Sequence, residues 1–179
     1  MTSALPADAA GMALREARVD HPHAARLLRA FRDEQVARYG FADPVDLDPH
    51  TYSPPNGTFV IAYQGGRPVG CAGCRWYDRS TGVVEIRKTY LIAEARGRGL
   101  GRALLHRLES HAVGWGARRV ILETGVRNTA ALALFAASGY QPTAQYVPGR
   151  DPTINRAFVK PLTPAPQPPD APATRTATR

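Results

Sequence analysis

The amino-acid sequence predicts an α/β domain in which helices pack on a single sheet. Apolar residues recur with period 2 in some segments and at helical spacing in others, and the two kinds of segment alternate along the chain. The segment RVILET (119–124) has a continuous apolar centre, which is typical of a central strand buried on both faces. Strands and helices that alternate in this way form a sheet with helices against it.

The first part of the folded region is predicted to contain one strand and one helix. Residues 12–18 alternate between apolar and polar side chains, as in a short strand. Asp20 is of the residue type that caps helices, and the apolar residues after it recur at helical spacing as far as Tyr39. Four prolines within residues 41–57 then predict a loop.

The middle of the chain is predicted to form three strands and a second helix. Residues 59–63 and 69–77, joined by the turn QGGRP, are typical of a β-hairpin, and residues 83–92 form a further strand. The glycine-rich stretch RGRGLG follows this strand. After it, leucines recur on one face of a helix that closes near Gly114 and Gly116.

The last part of the folded region is predicted to be a strand, a third helix and a final strand. After residues 119–124, Asn128 can cap a helix that Gly139 terminates. Residues 156–162 then form the last strand. The predicted order of elements is therefore β-α-ββ-β-α-β-α-β.

The length of 179 residues is that of one domain, which we place at residues 12–162. Residues 163–179 are rich in proline and alanine and lack apolar anchors, so we expect them to be disordered, and residues 1–11 to be flexible. No run approaches the roughly 18 apolar residues of a membrane span, and the N-terminus lacks the features of a secretory signal. We therefore expect a cytoplasmic protein without a membrane partner.

The net charge of +8 comes mainly from arginine, of which the chain has 21 against 2 lysines. These arginines are scattered through every segment, whereas nucleic-acid-binding proteins usually cluster basic residues on one face. A surplus of arginine, alanine and proline is also typical of a GC-rich genome. We therefore expect no nucleic-acid partner.

Cys71 and Cys74 have CxxC spacing, which is typical of a redox dithiol or of half a zinc site. A zinc site needs two further ligands, and the close histidine pair, His21 and His23, lies far away in the sequence. A redox pair should open a helix, whereas these cysteines lie inside a predicted strand. We therefore expect two free, buried thiols and no metal site.

The stretch RGRGLG (96–101) lies between a strand and a helix, where backbone N–H groups and the positive helix end converge on an anion. A Rossmann fingerprint would need a glycine where Arg102 or Leu104 stands, and a Walker loop would need a nearby lysine. The stretch alone therefore leaves both a phosphate site and a plain turn open.

Two segments together resemble the acetyl-CoA-binding core of the GNAT superfamily of N-acetyltransferases. EIRKTYLIAEARGRGLGRALL contains the superfamily's Arg/Gln-x-x-Gly-x-Gly/Ala motif, and NTAALALFAASGY (128–140) is similar to its second motif. The resemblance implies a GNAT-type mixed, mostly antiparallel sheet of about six to seven strands, flanked by helices and with splayed central strands. It also implies transfer of an acetyl group from acetyl-CoA to an amine.

The same resemblance assigns cofactor contacts to both segments. Backbone amides of the glycine loop would bind the CoA diphosphate, and the strand before the loop would pair with the pantetheine arm. Asn128 matches a position that contacts the CoA arm and can also cap its helix, while solvated charge is the alternative for Arg98 and Arg102. The residues expected to bind the cofactor are Thr89, Tyr90, Leu91, Arg96, Gly97, Arg98, Gly99, Leu100, Gly101, Arg102, Asn128 and Phe135.

Amide formation needs a base, because a primary alkylamine holds its proton up to about pH 10. Glu85 lies eleven residues before Arg96, which matches the spacing of the general base in superfamily members that use one. A surface position on an edge strand is the alternative for Glu85. The resemblance also implies that the backbone N–H of Leu91 stabilises the oxyanion.

The general acid is where the sequence departs from the superfamily. A tyrosine usually stands seven residues after the motif asparagine, but here that position is Phe135, whose ring cannot protonate a thiolate. Tyr90, Tyr140 and Tyr146 are candidates to replace it, and we assign the role to Tyr146, with water as the alternative. A catalytically weak acyl-CoA-binding module is the competing interpretation.

Residues 33–48 contain five carboxylates and a single arginine, a local reversal of sign in a basic chain. In the superfamily this segment helps to form the acceptor site, so the carboxylates would favour a small cationic amine. Ordinary solvated charge is the alternative, an amine on a protein remains a competing acceptor, and a homodimer is compatible with the sequence. The five carboxylates are Asp33, Glu34, Asp43, Asp46 and Asp48.

Overall fold

The computed structural model of the chain describes residues 11–44 and 47–163. The predictions of a flexible N-terminus and a disordered tail therefore fall almost entirely outside the described residues. No helix in the described part is long and apolar enough to cross a membrane. The helices are α1 (Pro22–Tyr39), α2 (Leu100–Gly114) and α3 (Thr129–Ala137), with a 3-10 turn at Ala93–Ala95. The strands are β1 (Met12–Glu16), β2 (Gly57–Gln64), β3 (Arg67–Asp78), β4 (Val83–Leu91), β5 (Arg119–Gly125), β6 (Gln141–Thr143) and β7 (Asn155–Pro161).

The strands form one sheet in the order β1-β2-β3-β4-β5-β7-β6. Neighbouring strands are antiparallel except for β4 and β5, which are parallel. The sequence prediction of a mixed, mostly antiparallel sheet with flanking helices is confirmed. It missed β6, whose three residues are all exposed and include Pro142, so that they carry no hydrophobic alternation.

The central strands β4 and β5 are splayed. They pair only at their beginnings, and beyond Glu85 the two strands separate while β5 continues to pair with β7. This separation opens the sheet at the carboxyl end of β4, directly before the glycine-rich loop. The three registered pairs are Val83 with Arg119, Val84 with Val120, and Glu85 with Ile121.

A β-bulge in β4 changes which side chains face α1. Lys88 and Thr89 lie opposite the single residue Ala72 of β3, and Lys88 has a positive φ of 58°. Before the bulge Glu85 and its second neighbour Arg87 share one face of the strand. Because the extra residue shifts the alternation, Tyr90 packs on the α1 side after the bulge.

Buried apolar side chains form a cluster on each face of the sheet, one against α1 and one against α2 and α3. Cys71 belongs to the cluster on the α1 side and Cys74 to the cluster on the other side. Both are free and buried, as predicted, and their positions on opposite faces prevent a disulfide between them. Within residues 11–44 and 47–163, no three His, Cys, Asp or Glu side chains are grouped closely enough to hold a metal ion.

The prediction that Asp20 caps α1 is wrong. The cap is His21, whose Nδ1 accepts a hydrogen bond from the backbone N–H of His23 at 3.1 Å. The Asp20 carboxylate instead accepts two hydrogen bonds from Arg18, at 2.9 and 2.7 Å. An arginine two residues away therefore outcompetes the backbone for this carboxylate.

Candidate active site

A cleft of about 550 Å³ lies beside the splayed end of β4, between α1, α2 and α3. Ten of the twelve residues predicted to bind the cofactor line it. The two others do not: Arg98 is exposed, and the side chain of Leu100 is buried in the core beneath α2. The ten lining residues are Thr89, Tyr90, Leu91, Arg96, Gly97, Gly99, Gly101, Arg102, Asn128 and Phe135.

The glycine loop presents unpaired amides to this cleft. Gly97 and Gly99 have φ values of 72° and 82°, in the left-handed region that favours glycine. Gly99 precedes α2 without a side-chain cap, and Ala103 N–H is bonded to Gly99 O at 3.0 Å. The amides of the first turn before Ala103 therefore have no partner within the helix. No atom lies within 4 Å of where a Cβ would stand at Gly97 or Gly99, so an anion can approach the loop.

Gly101 allows the start of α2 to lie close to α3. A Cβ at this position would be 2.9 Å from Leu134 Cδ2 and 3.6 Å from Leu91 Cδ1. Leu91, Gly101 and Leu134 all line the cleft. The glycine therefore preserves the width of the cleft at the point where strand and helices meet.

Arg96 connects the glycine loop to α1 and to the end of β4. Its Nε donates to the Leu91 carbonyl at 3.0 Å and its Nη2 to Glu34 Oε2 at 2.5 Å. Burial opposes ionisation of Glu34, but its bonds with Arg96 and Arg38 outweigh burial and keep its pKa below the usual value. The geometry thus gives Arg96 a positioning function at the wall of the cleft.

A second, smaller cavity of about 130 Å³ adjoins the cleft. Glu85 lines this cavity, on the face of the sheet that carries α1. The two spaces meet at side chains that line both, so a molecule in the cleft can reach a molecule in the cavity. Seven residues are shared: Phe31, Gln35, Arg38, Thr89, Asn128, Ala131 and Phe135.

Asn128 and Phe135 stand at this junction. Asn128 Oδ1 accepts a hydrogen bond from Ala131 N–H at 3.3 Å and so caps α3, and the same residue lines both spaces. Capping and a position at the cleft therefore coexist in Asn128. Phe135 is 4% exposed and packs against Tyr140 and Phe158. Its ring forms part of the wall and of the core.

Glu85 is 2% exposed, so the alternative of a surface position on an edge strand is wrong. Its Oε2 accepts from Arg75 Nε at 3.0 Å and lies 2.9 Å from Arg75 Nη2. Its Oε1 accepts from the Tyr146 hydroxyl at 3.1 Å. The carboxylate is therefore held in one orientation by an ion pair and by a hydrogen bond from a residue 61 positions away.

Tyr146 is not among the described residues that line the cleft or the cavity. Two effects raise the pKa of Tyr146 far above the ordinary value: burial, which is the larger, and the charge of Glu85. Its hydroxyl therefore keeps its proton at neutral pH. The geometry places Tyr146 where it orients Glu85. Of the other tyrosines considered, Tyr140 donates to Glu109 at 2.9 Å, whereas Tyr90 lines the cleft.

The cavity also contains a network that the sequence analysis missed. Arg150 bridges Glu123 Oε1 at 2.6 Å and Asp43 Oδ1 at 2.5 Å. Glu123 Oε2 is buried and has no hydrogen-bond partner. Burial raises the pKa of Glu123, while Arg150 acts in the opposite direction. A carboxylate near the end of a buried strand, as at Glu85, is the signal that could have identified Glu123.

Of the described carboxylates predicted to form an acidic wall, Glu34 lines the cleft and Asp43 lines the cavity. Glu34 is bound by Arg38 and Arg96, and Asp43 by Arg150. Asp33 and Asp48 line neither space, and Asp46 lies outside the described residues. The preference for cationic acceptors stays a prediction, which the pairing of Glu34 and Asp43 with arginines does not favour.

Comparison with known proteins relates this geometry to a family. A model of the acetyltransferase (GNAT) family matches residues 24–140. The chain is 34% identical over 117 residues to an IAA acetyltransferase of Azospirillum brasilense, covering 65% of this chain and 75% of that protein. It is 35% identical over 88 residues to an uncharacterized N-acetyltransferase of Mycobacterium tuberculosis, covering 49% of this chain. The matches to that and to other curated relatives span between 38% and 54% of their length.

Solved structures show the same fold. A GNAT-family acetyltransferase of Staphylococcus aureus has a TM-score of 0.69 at 16% identity, covering 84% of this chain and 100% of that one. A GNAT-family acetyltransferase of Elizabethkingia anophelis with acetyl-CoA bound has a TM-score of 0.61 at 17% identity, covering 84% and 98%. The family match includes the glycine loop and the segment of Asn128, two of the parts of the sequence that line the cleft. The chain therefore belongs to the acetyltransferase (GNAT) family and is an acyltransferase.

Proposed function

We propose that the protein transfers the acetyl group of acetyl-CoA to a primary amine of a small molecule, by direct attack of the amine on the thioester. The observation that carries this proposal is the junction of the two spaces. The cleft contains the unpaired amides of the glycine loop, and the adjoining cavity contains Glu85. A donor in the cleft and an acceptor in the cavity would meet at Thr89, Asn128 and Phe135.

The residues of the cleft suit acetyl-CoA. The open amides beside Gly97 and Gly99 and the exposed guanidinium of Arg102 would bind the diphosphate, since both favour an anion. Thr89 to Leu91 would pair with the pantetheine arm through their backbone. The Elizabethkingia relative of the same fold contains acetyl-CoA, which supports the same cosubstrate here.

The chemistry needs a base on the acceptor side. The amine nitrogen forms a bond to the carbonyl carbon as the carbon–sulfur bond breaks, the amine loses one proton, and the thiolate gains one. We assign Glu85 as the base that accepts the amine proton, directly or through water. Arg75 and Tyr146 hold its carboxylate in place. The backbone N–H of Leu91 would stabilise the oxyanion. Tyr90 or water would supply the second proton.

The dimensions of the acceptor cavity favour a small molecule over a protein. Its volume of about 130 Å³ is below the roughly 300–1,000 Å³ of sites for drug-sized ligands. Apolar and aromatic side chains of α1 and of the loop after it line one side, among them Phe31, Tyr39 and Phe41. A compact amine fits this enclosure better than an extended peptide.

Release of CoA thiol in the presence of a panel of free amines and peptides tests the proposal. Glu85→Gln should lower kcat at pH 7 at least tenfold, which corresponds to about 1.4 kcal/mol, because the amide cannot take the proton. The loss should shrink at high pH, where the amine deprotonates unaided, and acetyl-CoA affinity should stay unchanged.

Glu94→Gln is the matched control, since Glu94 is exposed and lines neither space. Full activity of Glu85→Gln at pH 7 would show that Glu85 is structural. Acetylation of peptides but of no free amine would exclude the small-molecule acceptor. Absence of thiol release with every amine and peptide would favour the weak acyl-CoA-binding module.

A further inference from the structure

The described carboxylates that line the acceptor cavity are each engaged by an arginine. Within residues 11–44 and 47–163, the acidic residues that line the cavity are Asp43, Glu85 and Glu123. Arg150 binds Asp43 and Glu123, and Arg75 binds Glu85 at 2.9 Å. A carboxylate that already has a guanidinium partner attracts a further cation weakly, because the two charges largely cancel at a distance.

The basic residues of the cavity are less completely paired. Four of them line it: Arg32, Arg38, Arg87 and Lys88. Arg38 is bound to Glu34 at 2.5 Å, and Lys88 also has an interaction partner. Arg32, on α1, is exposed and makes no hydrogen bond or ion pair with another described residue. Among the described residues, guanidinium N–H donors therefore remain available to a ligand in this cavity.

Arg87 is the guanidinium best placed for a ligand. Its side chain is 24% exposed and makes no hydrogen bond to another described residue. Its nearest carboxylate atom is Glu85 Oε2, at 3.8 Å from Nη1, and that oxygen already accepts from Arg75. Several N–H donors of this guanidinium are thus available to a ligand, and none of its nitrogens is among the buried atoms of the described residues that lack a hydrogen-bond partner.

We propose that the acceptor amine also carries a carboxylate, as an α-amino acid does, and that Arg87 binds this carboxylate. The inference rests on the proposed acetyl transfer and names its acceptor class. Arg87 lies two residues after Glu85 on the same face of β4, and the two side chains approach to 3.8 Å. A molecule with its amine and carboxylate on one carbon atom can therefore contact both groups. A planar carboxylate can accept two parallel hydrogen bonds from a guanidinium.

Paired substrates test the inference. Each α-amino acid of a panel is compared with its amide, which has the same amine and side chain but no negative charge, and CoA thiol release is measured. The wild-type protein should use the acids with a kcat/KM at least tenfold above that of the amides. Amine ionisation cannot produce this order, because an amide group lowers the pKa of the neighbouring amine and so favours the amide.

Variants at Arg87 locate the preference. Arg87→Gln should raise KM for the acids more than for the amides, so that the kcat/KM values of acids and amides differ less than threefold, while the acetyl-CoA Kd stays unchanged. Arg87→Lys should retain part of the preference, because it keeps the charge without the planar geometry. Arg29→Gln is the matched control, since Arg29 is exposed on α1 and lines neither space.

Calorimetric titration of the same acids into the protein saturated with CoA separates this inference from acetyl transfer itself. Binding that Arg87→Gln abolishes, without thiol release from acetyl-CoA, would support the inference and refute the transfer. Thiol release that is equal with acids and amides, or a preference that survives Arg87→Gln, would overturn the inference and leave the transfer standing. If no acid of the panel binds in the titration and none gives thiol release, the inference is also overturned.

Discussion

Replacement of Gly101 by valine should narrow the cofactor cleft from its inner wall. A Cβ at residue 101 would lie 2.9 Å from Leu134 Cδ2 and 3.6 Å from Leu91 Cδ1, and valine adds two further methyl groups. Overpacking of this kind costs about 1–3 kcal/mol. Because both leucines line the cleft, their displacement reduces the space for the pantetheine arm. We expect the affinity for acetyl-CoA to fall at least tenfold, which corresponds to about 1.4 kcal/mol.

Gly114 offers a matched control in the same helix. It is the last residue of α2, and no atom lies within 4 Å of where its Cβ would stand. Gly114→Val should therefore leave acetyl-CoA affinity unchanged. Gly101→Ala should give an intermediate loss, because a single methyl group requires the tip of Leu134 to move by only a few tenths of an ångström.

Isothermal titration calorimetry with acetyl-CoA measures these affinities, and chemical denaturation of each variant shows whether it is folded. A steric effect predicts that affinity falls in the order wild type, Gly101→Ala, Gly101→Val. Wild-type affinity in folded Gly101→Val would refute the assignment of the cleft to acetyl-CoA. An equal loss in Gly114→Val would show that the effect comes from the helix and not from the cleft.

Two further predictions concern groups outside the site. Burial raises the pKa of both Cys71 and Cys74 to about 12, so the thiols should react with a colorimetric thiol reagent at pH 8 only after denaturation, and rapid reaction of the native protein would contradict this. Hydrogen bonds from Thr81 and Ser80 lower the pKa of Asp78 to about 2 from an ordinary value of 3.8. Asp78 therefore stabilises the β3–β4 turn above pH 3.8, and this contribution is lost as the pH falls towards 2. Asp78→Ala should lower the unfolding midpoint at pH 7 and have little effect near pH 2, whereas an equal effect at both pH values would exclude the role of the ionised carboxylate.

The sequence predicted the elements that carry a strong periodic signal or a glycine stop. It identified six of the seven strands and all three helices, because each buries an apolar face at its own period. It missed β6, whose placement depends on antiparallel pairing with β7. The sequence was wrong about the cap at Asp20 because residue type does not show which donor the carboxylate accepts from. In the structure the donor is the Arg18 side chain and not the helix backbone.

In the candidate site, too, the sequence predicted the local motifs but not the contacts between distant segments. Much of the cleft comes from two local motifs that the sequence shows, the glycine loop and the segment of Asn128, while α1 supplies a further wall from elsewhere in the chain. The surroundings of Glu85 are tertiary, because Tyr146 and Arg75 come from other segments of the chain. Local spacing therefore identified the carboxylate but could not reveal that Tyr146 donates to it and lines neither space.

The acceptor preference shows why a local count of charge can mislead. Residues 33–48 are acidic in sequence, yet Glu34 is bound by Arg96 from the glycine loop and Asp43 by Arg150 from the segment before β7. These arginines lie 62 and 107 positions away from their partners, so no window of sequence contains both members of either pair. The electrostatic potential in a binding cavity depends on the charges that have no close partner after folding. In this cavity Arg87 has only a long ion pair, at 3.8 Å to Glu85, and keeps N–H donors for a ligand, so we propose an acceptor that carries a carboxylate.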